Sequence, residues 1–389
     1  MNECAPVMRC PGPRIRPPLM TSFVTSCLQT TASSAQRAAR LSRGQPRAAR
    51  LVRLLTDKSN ILVTAHLHPD PDAMASAWAM SHLLTHSLPR SKVTLSIQGN
   101  VGGWLNSEFA RLSALPLVPW DQDSLDEFDA IVLLDVQPNF AYSPLPPNIE
   151  PTAIIDHHRA RGRKPRAPFC DIRTDVGACT SIVFSYLMEL DVPIAPSMAA
   201  SLLYAIETDL AGAAGAPGQL DNVAMSSLTL RADPHKLYAM RHASLPREFY
   251  VAMHKAIGSA MVTSSANAPH DSGVLFTFLD QVESPEMPAV VADFMLRYDK
   301  ADWVLASGVH EGRLVLSLRT TNGRTSAGEM MRRLLRRLGE GGGHRTKAGG
   351  FVPLTNGSLA EIERVRRTLR TRLLKALDYP ADTRLVKLM

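Results

Sequence analysis

The chain has 389 residues, 45% of them apolar and 20% charged, which is enough for two domains with sizeable cores. No apolar run reaches the roughly 18 residues that span a bilayer. The five cysteines are odd in number and form no C-x-x-C pair, which argues against a disulfide framework or structural zinc and for a reducing, cytoplasmic setting.

The net charge of +7 lies wholly in residues 1–50, which carry eight arginines, no lysine and one acid, Glu3. The remainder is balanced at 35 basic and 35 acidic residues. A broad basic face for long duplex is therefore not expected; a small anionic substrate met by a few local charges is. Residues 1–47 are rich in Pro, Arg, Ser and Ala without periodicity, and are expected to be a disordered tail. The same composition is that of a mitochondrial transit peptide, and a dispensable extension is the plainer alternative.

From about residue 48 the pattern alternates between helix and strand. Ala48 to Asp57 reads as an amphipathic helix, Ile61–Ala65 as a strand, and Ala73–His86 as a helix. Lys92–Gln98 reads as a period-two strand and Trp104–Ala114 as a helix. Ala130–Leu134 and Ala153–Ile155 are continuously apolar, like central strands of a parallel sheet, and end in Asp135 and Asp156. Helices follow near 180–190, 197–208 and 219–230. The alternation predicts an α/β fold with a doubly wound parallel sheet, whose ligands bind beyond the carboxyl ends of the strands.

A helical stretch over Pro246–Met261 and the polar segment Thr263–Ser272 read as a linker. The expected division is a tail at 1–47, a first domain at 48–245, a linker at 246–272 and a smaller mixed α/β domain at 273–389. In the latter, strands are expected at Val274–Leu279, Trp303–Val309, Leu314–Leu318 and near Gly350–Leu354. Helices are expected at Ala289–Leu296, Ala327–Leu338 and Leu359–Leu377.

Metal-type ligands recur at the ends of apolar runs: His66, His68, Asp70 and Asp72, then Asp135, then Asp156-His157-His158, then Asp209. Imidazole and carboxylate suit a divalent ion, and Pro69 and Pro71 stiffen the first turn. An isolated Asp after a strand is more often a helix cap; four such places in one α/β domain are harder to dismiss. In a strand His66 and His68 would point to the same side, so spacing alone does not choose between them. Val176–Ser181 opens a helix whose N–H groups could receive a phosphate, with an ordinary N-cap as the plainer reading. Cys179 has no setting that marks it as a nucleophile. Arg332, Arg333, Arg336 and Arg337 form a stripe expected to be mostly solvated.

The pattern H-x-x-P-D-x-D-A from His66 to Ala73, Asp135 after a strand, Asp156-His157-His158, Asp209, and Gly341-Gly342-Gly343-His344 with Ala348-Gly349-Gly350 together resemble the DHH phosphoesterases with a DHH-associated C-terminal domain. The two-domain form is most similar to bacterial nanoRNase/pAp phosphatases. The resemblance implies two divalent ions, usually manganese, with magnesium as the alternative. His66, Asp70 and Asp135 would hold one ion; Asp72, Asp135, His157 and Asp209 would hold the other. Asp156 would fix a histidine tautomer, and His158 would hold the phosphate or protonate the leaving oxygen. Arg319, Gly342, Gly343 and His344 would bind substrate, and His68 would be a nearby polar group or an exposed turn residue. The implied substrates are 3′-phosphoadenosine 5′-phosphate (pAp), linear or cyclic dinucleotides and short oligonucleotides, with no membrane or long duplex as partner and a homodimer left open. A RecJ-like single-strand exonuclease and a non-catalytic nucleotide sensor are the alternatives. Among enzymes a family II pyrophosphatase ranks below the exonuclease, because the glycine–His344 segment resembles the nucleic-acid-processing branch.

Overall fold

The computed structural model describes residues 46–389 except 99–100, 102, 119–121, 141, 160–164, 211–217, 264–272, 323–324 and 344. Residues 1–45 of the expected tail, most of the polar linker and His344 therefore lie outside the described residues, while Arg47, placed in the tail, opens the first helix.

Five strands, β1 (Asn60–Ala65), β2 (Lys92–Leu95), β3 (Ala130–Leu134), β4 (Ala153–Asp156) and β5 (Phe169–Ile172), form a parallel sheet in the order β2-β1-β3-β4-β5. Alternation sorts their side chains. Ile61, Val63, Ala65, Val132 and Leu134 face one core. That core also takes residues from α1 (Arg47–Leu55), α2 (Pro71–Ser87), α3 (Trp104–Ser113), α4 (Cys179–Glu189), α5 (Pro196–Leu210), α6 (Gln219–Thr229) and α7 (Pro234–Arg241). Leu62, Ile131 and Leu133 face the opposite side and pack on Leu125, Phe140 and Leu145.

Two of these elements were not expected. β5 carries Asp171 inside the sheet, which breaks an apolar pattern. The carboxylate is 1% exposed and is satisfied by Arg47, by Arg173 at 2.7 Å and by the Tyr186 hydroxyl at 2.5 Å. The same contacts dock α1 on the sheet edge, with Glu189 accepting the Arg47 and Ala49 amides at 3.1 Å. α7 is short, and buries only Leu237 and Met240 beyond its Asp233 cap.

The second sheet has seven strands: β6 (Met261–Thr263), β7 (Val274–Gln281), β8 (Trp303–His310), β9 (Arg313–Thr320), β10 (Glu340–Gly343), β11 (Lys347–Pro353) and β12 (Leu385–Lys387). Their order is β10-β11-β9-β8-β7-β6-β12, and only β7 and β8 run parallel. The three-residue strands β6 and β12 are too short to leave a periodic signal. One face packs on α10 (Ala327–Leu335) and α11 (Leu359–Ala376). The other packs on α9 (Met287–Met295) and on α8 (Arg247–Ser259) through Phe249, Ala252, Met253 and Ala256. The helix expected as a connector is thus part of the second core. Among the described residues no helix is long and apolar enough to cross a membrane.

The triglycine is a strand, not a loose turn: Gly341, Gly342 and Gly343 pair with Gly350, Gly349 and Ala348. A Cβ on Gly341 would lie 2.6 Å from Leu335 Cδ1 and 2.8 Å from the Gly349 carbonyl oxygen. Close packing of β10 against β11 and α10 therefore requires the missing side chain at this position.

Candidate metal centre

β1, β3 and β4 are neighbours, so the residues that follow them emerge at one edge of the sheet. Asp135 leaves β3 in the left-handed region, φ +57°, which Asp tolerates better than most residues. Its amide still bonds the Ile155 carbonyl at 2.9 Å, so the turn begins while the chain is held against β4.

Pro71 opens α2, with Asp70 as its cap accepting the Ala73 amide at 3.0 Å. Asp72, one position inside the helix, is 1% exposed and accepts the Cys179 and Thr180 amides at 2.7 and 2.8 Å. The start of α4 is therefore capped by a carboxylate from α2, and these two N–H groups, considered above for a phosphate, are already used. Asp209 comes from the last turn of α5.

Three groups of ligand atoms result, each with its atoms within 4.8 Å of one another: His66, Asp70 and Asp135; Asp72, His157 and Asp209; and Asp135, His157 and His158. Asp135 sits between the first two. Its Oδ2 is 3.6 Å from His66 Nε2 and its Oδ1 is 3.2 Å from His157 Nε2. His157 Nε2 is also 3.9 Å from Asp209 Oδ2. Asp135 is 2% exposed, yet its Oδ1 makes no well-formed hydrogen bond despite the nearby His157.

The electrostatics show what the cluster lacks. Burial, with Asp135 and Asp209 beside it, pushes the Asp72 carboxyl well above the usual range. Burial lifts Asp209 to about 6, with Asp70 and Asp135 adding to it against the opposing pull of His157 and Lys347. For His66, burial lowers the pKa, but Asp135 and Asp70 outweigh it and raise it to about 9. His157 is likewise raised by Asp135, Asp209 and Asp72 against its burial. Burial alone would raise Asp135, but His157 and His66 hold it below the usual carboxylate range. Protons thus balance a crowd of buried carboxylates. Divalent cations would replace those protons, as ligand sets of this kind require. The orphaned Asp135 oxygen and the hard N/O donor set fit such ions.

The remaining expected residues divide. Asp156 is fully buried, and the histidine ring it meets is that of His158 rather than His157: His158 Nδ1 lies 2.7 Å from Asp156 Oδ1. His157 Nδ1 instead lies 3.3 Å from the Val176 carbonyl. His68 is exposed, with φ +53°, beyond the end of β1, so it does not share a strand face with His66. Cys179 is buried, and burial beside Asp135 and Asp72 pushes its thiol well above the usual range, unlike an activated nucleophile. Arg332, Arg333, Arg336 and Arg337 are all exposed.

Arg319 is engaged within its own domain. It is 8% exposed, and its guanidinium meets Asp293 Oδ1 at 2.5 Å and Ser317 Oγ at 2.7 Å. A cation of the second domain that reaches the centre is Lys347, whose Nζ donates to the Thr208 carbonyl at 3.4 Å, next to Asp209. Sequence reasoning missed Lys347, although a cation between two glycine motifs was a usable signal. It also missed the buried Gln137, which no pattern marks.

Comparison with known proteins agrees with this layout. Residues 60–206 match the DHH family, N-terminal domain, and residues 271–373 match the DHHA1 domain. An uncharacterized protein of Methanocaldococcus jannaschii is 27% identical over 297 residues, 76% of this chain and 59% of its own length. A probable manganese-dependent inorganic pyrophosphatase of Lactiplantibacillus plantarum is 26% identical over 159 residues, 39% of this chain and 48% of its own length. The chain thus spans between about half and three-fifths of the curated relatives it matches. The crystal structure of an exopolyphosphatase-related protein from Bacteroides fragilis has the same fold, with a TM-score of 0.61 at 14% identity, covering 86% of this chain and 97% of that one. With both domain types present in order, the chain belongs to the DHH family of phosphoesterases.

Proposed function

We propose that this chain hydrolyses phosphoesters of short nucleotides, namely pAp, linear or cyclic dinucleotides, and oligonucleotides a few residues long. Two divalent ions, with manganese the first choice, would be its resident cofactor. The observation that carries the reading is the buried Asp135, flanked by His66 and His157 and short of a hydrogen bond on Oδ1. His66, Asp70 and Asp135 would hold one ion; Asp72, Asp135, His157 and Asp209 would hold the other. Such a pair supplies an acidified water and neutralises phosphoryl oxygens.

The chain's own groups do the rest. Asp156 fixes the tautomer of His158, whose ring then holds a phosphate oxygen or delivers a proton to the leaving oxygen. Lys347 brings β11 to the end of α5, which supports a substrate held between the two domains and limited in length. The charge balance outside the tail supports short substrates over long single strands, which need a basic tracking groove. The match to a probable pyrophosphatase favours a second reading, hydrolysis of pyrophosphate.

One assay separates these. Purified protein with manganese is given pAp, a dinucleotide, a long single strand and pyrophosphate. The expected result is turnover of pAp or the dinucleotide above the other two, falling more than about a hundredfold in Asp135→Ala, beyond the usual cost of outer-shell changes. Turnover of pyrophosphate alone selects the second reading. No turnover of any substrate, or an undiminished Asp135→Ala variant, sinks the proposal.

A further inference from the structure

Two residues past Asp135, the chain has left β3. Gln137 there is fully buried. Its Nε2 lies 2.6 Å from Asp156 Oδ2 and 2.9 Å from the His158 carbonyl oxygen. Both partners are acceptors, so the orientation of the amide is fixed by what surrounds it. Asp156 Oδ1 is engaged separately, by the His157 amide at 2.8 Å, the His158 amide at 3.2 Å and His158 Nδ1 at 2.7 Å. For Asp156 Oδ2, Gln137 is the hydrogen-bond donor. Gln137 thus joins Oδ2 of the carboxylate to the backbone of the histidine that the carboxylate orients, while three further donors hold Oδ1. Phe140, from the same turn, presents its ring at 89° to His158 with centroids 6.1 Å apart, and closes the third side.

We propose that Gln137 is a positioning residue for phosphoester hydrolysis, acting through Asp156 to hold the His158 ring at the metal centre. The proposal rests on the function given above for its kinetic part alone. Gln137 touches neither substrate nor the metal-ligand atoms. Without Gln137 the buried carboxylate would lose its Oδ2 donor and rely on the bonds at Oδ1, so the Nδ1 contact that fixes the His158 tautomer would be held less firmly.

Gln137→Met keeps length and removes both donated bonds. The expected result is a kcat about 10- to 100-fold lower, the usual range for a lost outer-shell partner. KM and the manganese concentration for half-activation stay within about threefold in the same comparison. A double-mutant cycle locates the effect. In an Asp156→Asn background the further cost of Gln137→Met falls below about threefold, because the route through the carboxylate is already cut. In metal-free or magnesium-loaded protein, the nuclear magnetic resonance signal of the His158 Nδ1 proton should shift or broaden away in Gln137→Met. That readout needs no turnover.

Gln137→Asn serves if the methionine variant does not fold, since it keeps an amide that is one methylene too short for both acceptors. Wild-type kcat with an unmoved Nδ1 signal overturns the proposal. So does a loss that runs in step with KM, metal half-saturation and Tm, which marks a packing residue, and so do additive costs with Asp156→Asn. If the wild-type protein hydrolyses none of the substrates, the function above falls. The Nδ1 signal then still decides whether Gln137 positions His158.

Discussion

Asp135 and Arg319 are both charged, nearly buried and set at strand ends, one in each sheet, yet their surroundings differ. Arg319 is completed by its own neighbours: Asp293, Ser317, and the Leu318 and Ala348 carbonyls at 3.2 and 3.4 Å. Asp135 is left with an oxygen that lacks a well-formed bond, amid groups that hold protons in place of other cations. A charge completed by the fold reads as structure, and a charge left incomplete reads as a place for something added. The parallel sheet collects residues 66–72, 135, 156–158 and 209 from distant parts of the chain at one edge. The mixed sheet closes Arg319 within adjacent strands and α9.

The strongest test of this contrast is thermal. Manganese at about a hundred times its Kd should stabilise the protein by about 2.7 kcal/mol over a chelated sample. For a domain of this size that is a Tm increase of roughly 5–10 °C. Asp135→Asn should lose most of that increase. A wild-type Tm indifferent to manganese would erase the distinction between the two sites.

Arg319→Met should act the other way. Loss of its buried hydrogen bonds should cost about 1–3 kcal/mol of stability. KM for a dinucleotide should change by less than about threefold, against the larger increase expected of a lost substrate contact. Arg319→Lys should restore little, because a lysine cannot reproduce the planar fork. An intact Tm with a tenfold higher KM would move Arg319 from scaffold to substrate.

The smallest effect belongs to Glu361, a fold-completed charge at the start of α11. The Asn356 and Thr355 amides at 2.9 Å, and that of Gly357 at 3.0 Å, hold its carboxyl down to about 2. A depressed carboxylate stabilises the fold above its unfolded pKa, and the contribution is lost as pH falls through the folded value. Glu361→Gln should lower Tm by a few degrees near pH 7. The gap to wild type should close between about pH 4.5 and pH 2. A gap constant across that window would show that the amide bonds do not depend on the charge.

The first sheet was legible because β1, β3 and β4 are short apolar runs ending in ligands. An apolar strand followed by an acid survives reading without a structure. β5 was not legible, because Asp171 is a polar residue whose burial depends on Arg47, 124 positions away. The His66/His68 ambiguity rested on both lying in a strand, and the chain leaves β1 at Ala65. Gly341 was legible as part of a motif, but its closeness to Leu335 was not. Gln137 left no trace, since a lone amide in a turn is marked by its burial and not by its identity.

Asp72 has a consequence of its own. The carboxylate that belongs to the centre also terminates α4, through the Cys179 and Thr180 amides, and the Thr180 hydroxyl returns a bond to the Asp72 carbonyl at 3.2 Å. Those two amides are built-in gauges. Whatever changes the charge on Asp72 changes the strength with which it grips them, so hydrogen–deuterium exchange at residues 179 and 180 should slow or quicken as the centre fills or empties. The first turn of α4 would then register the state of a centre to which it contributes no side chain.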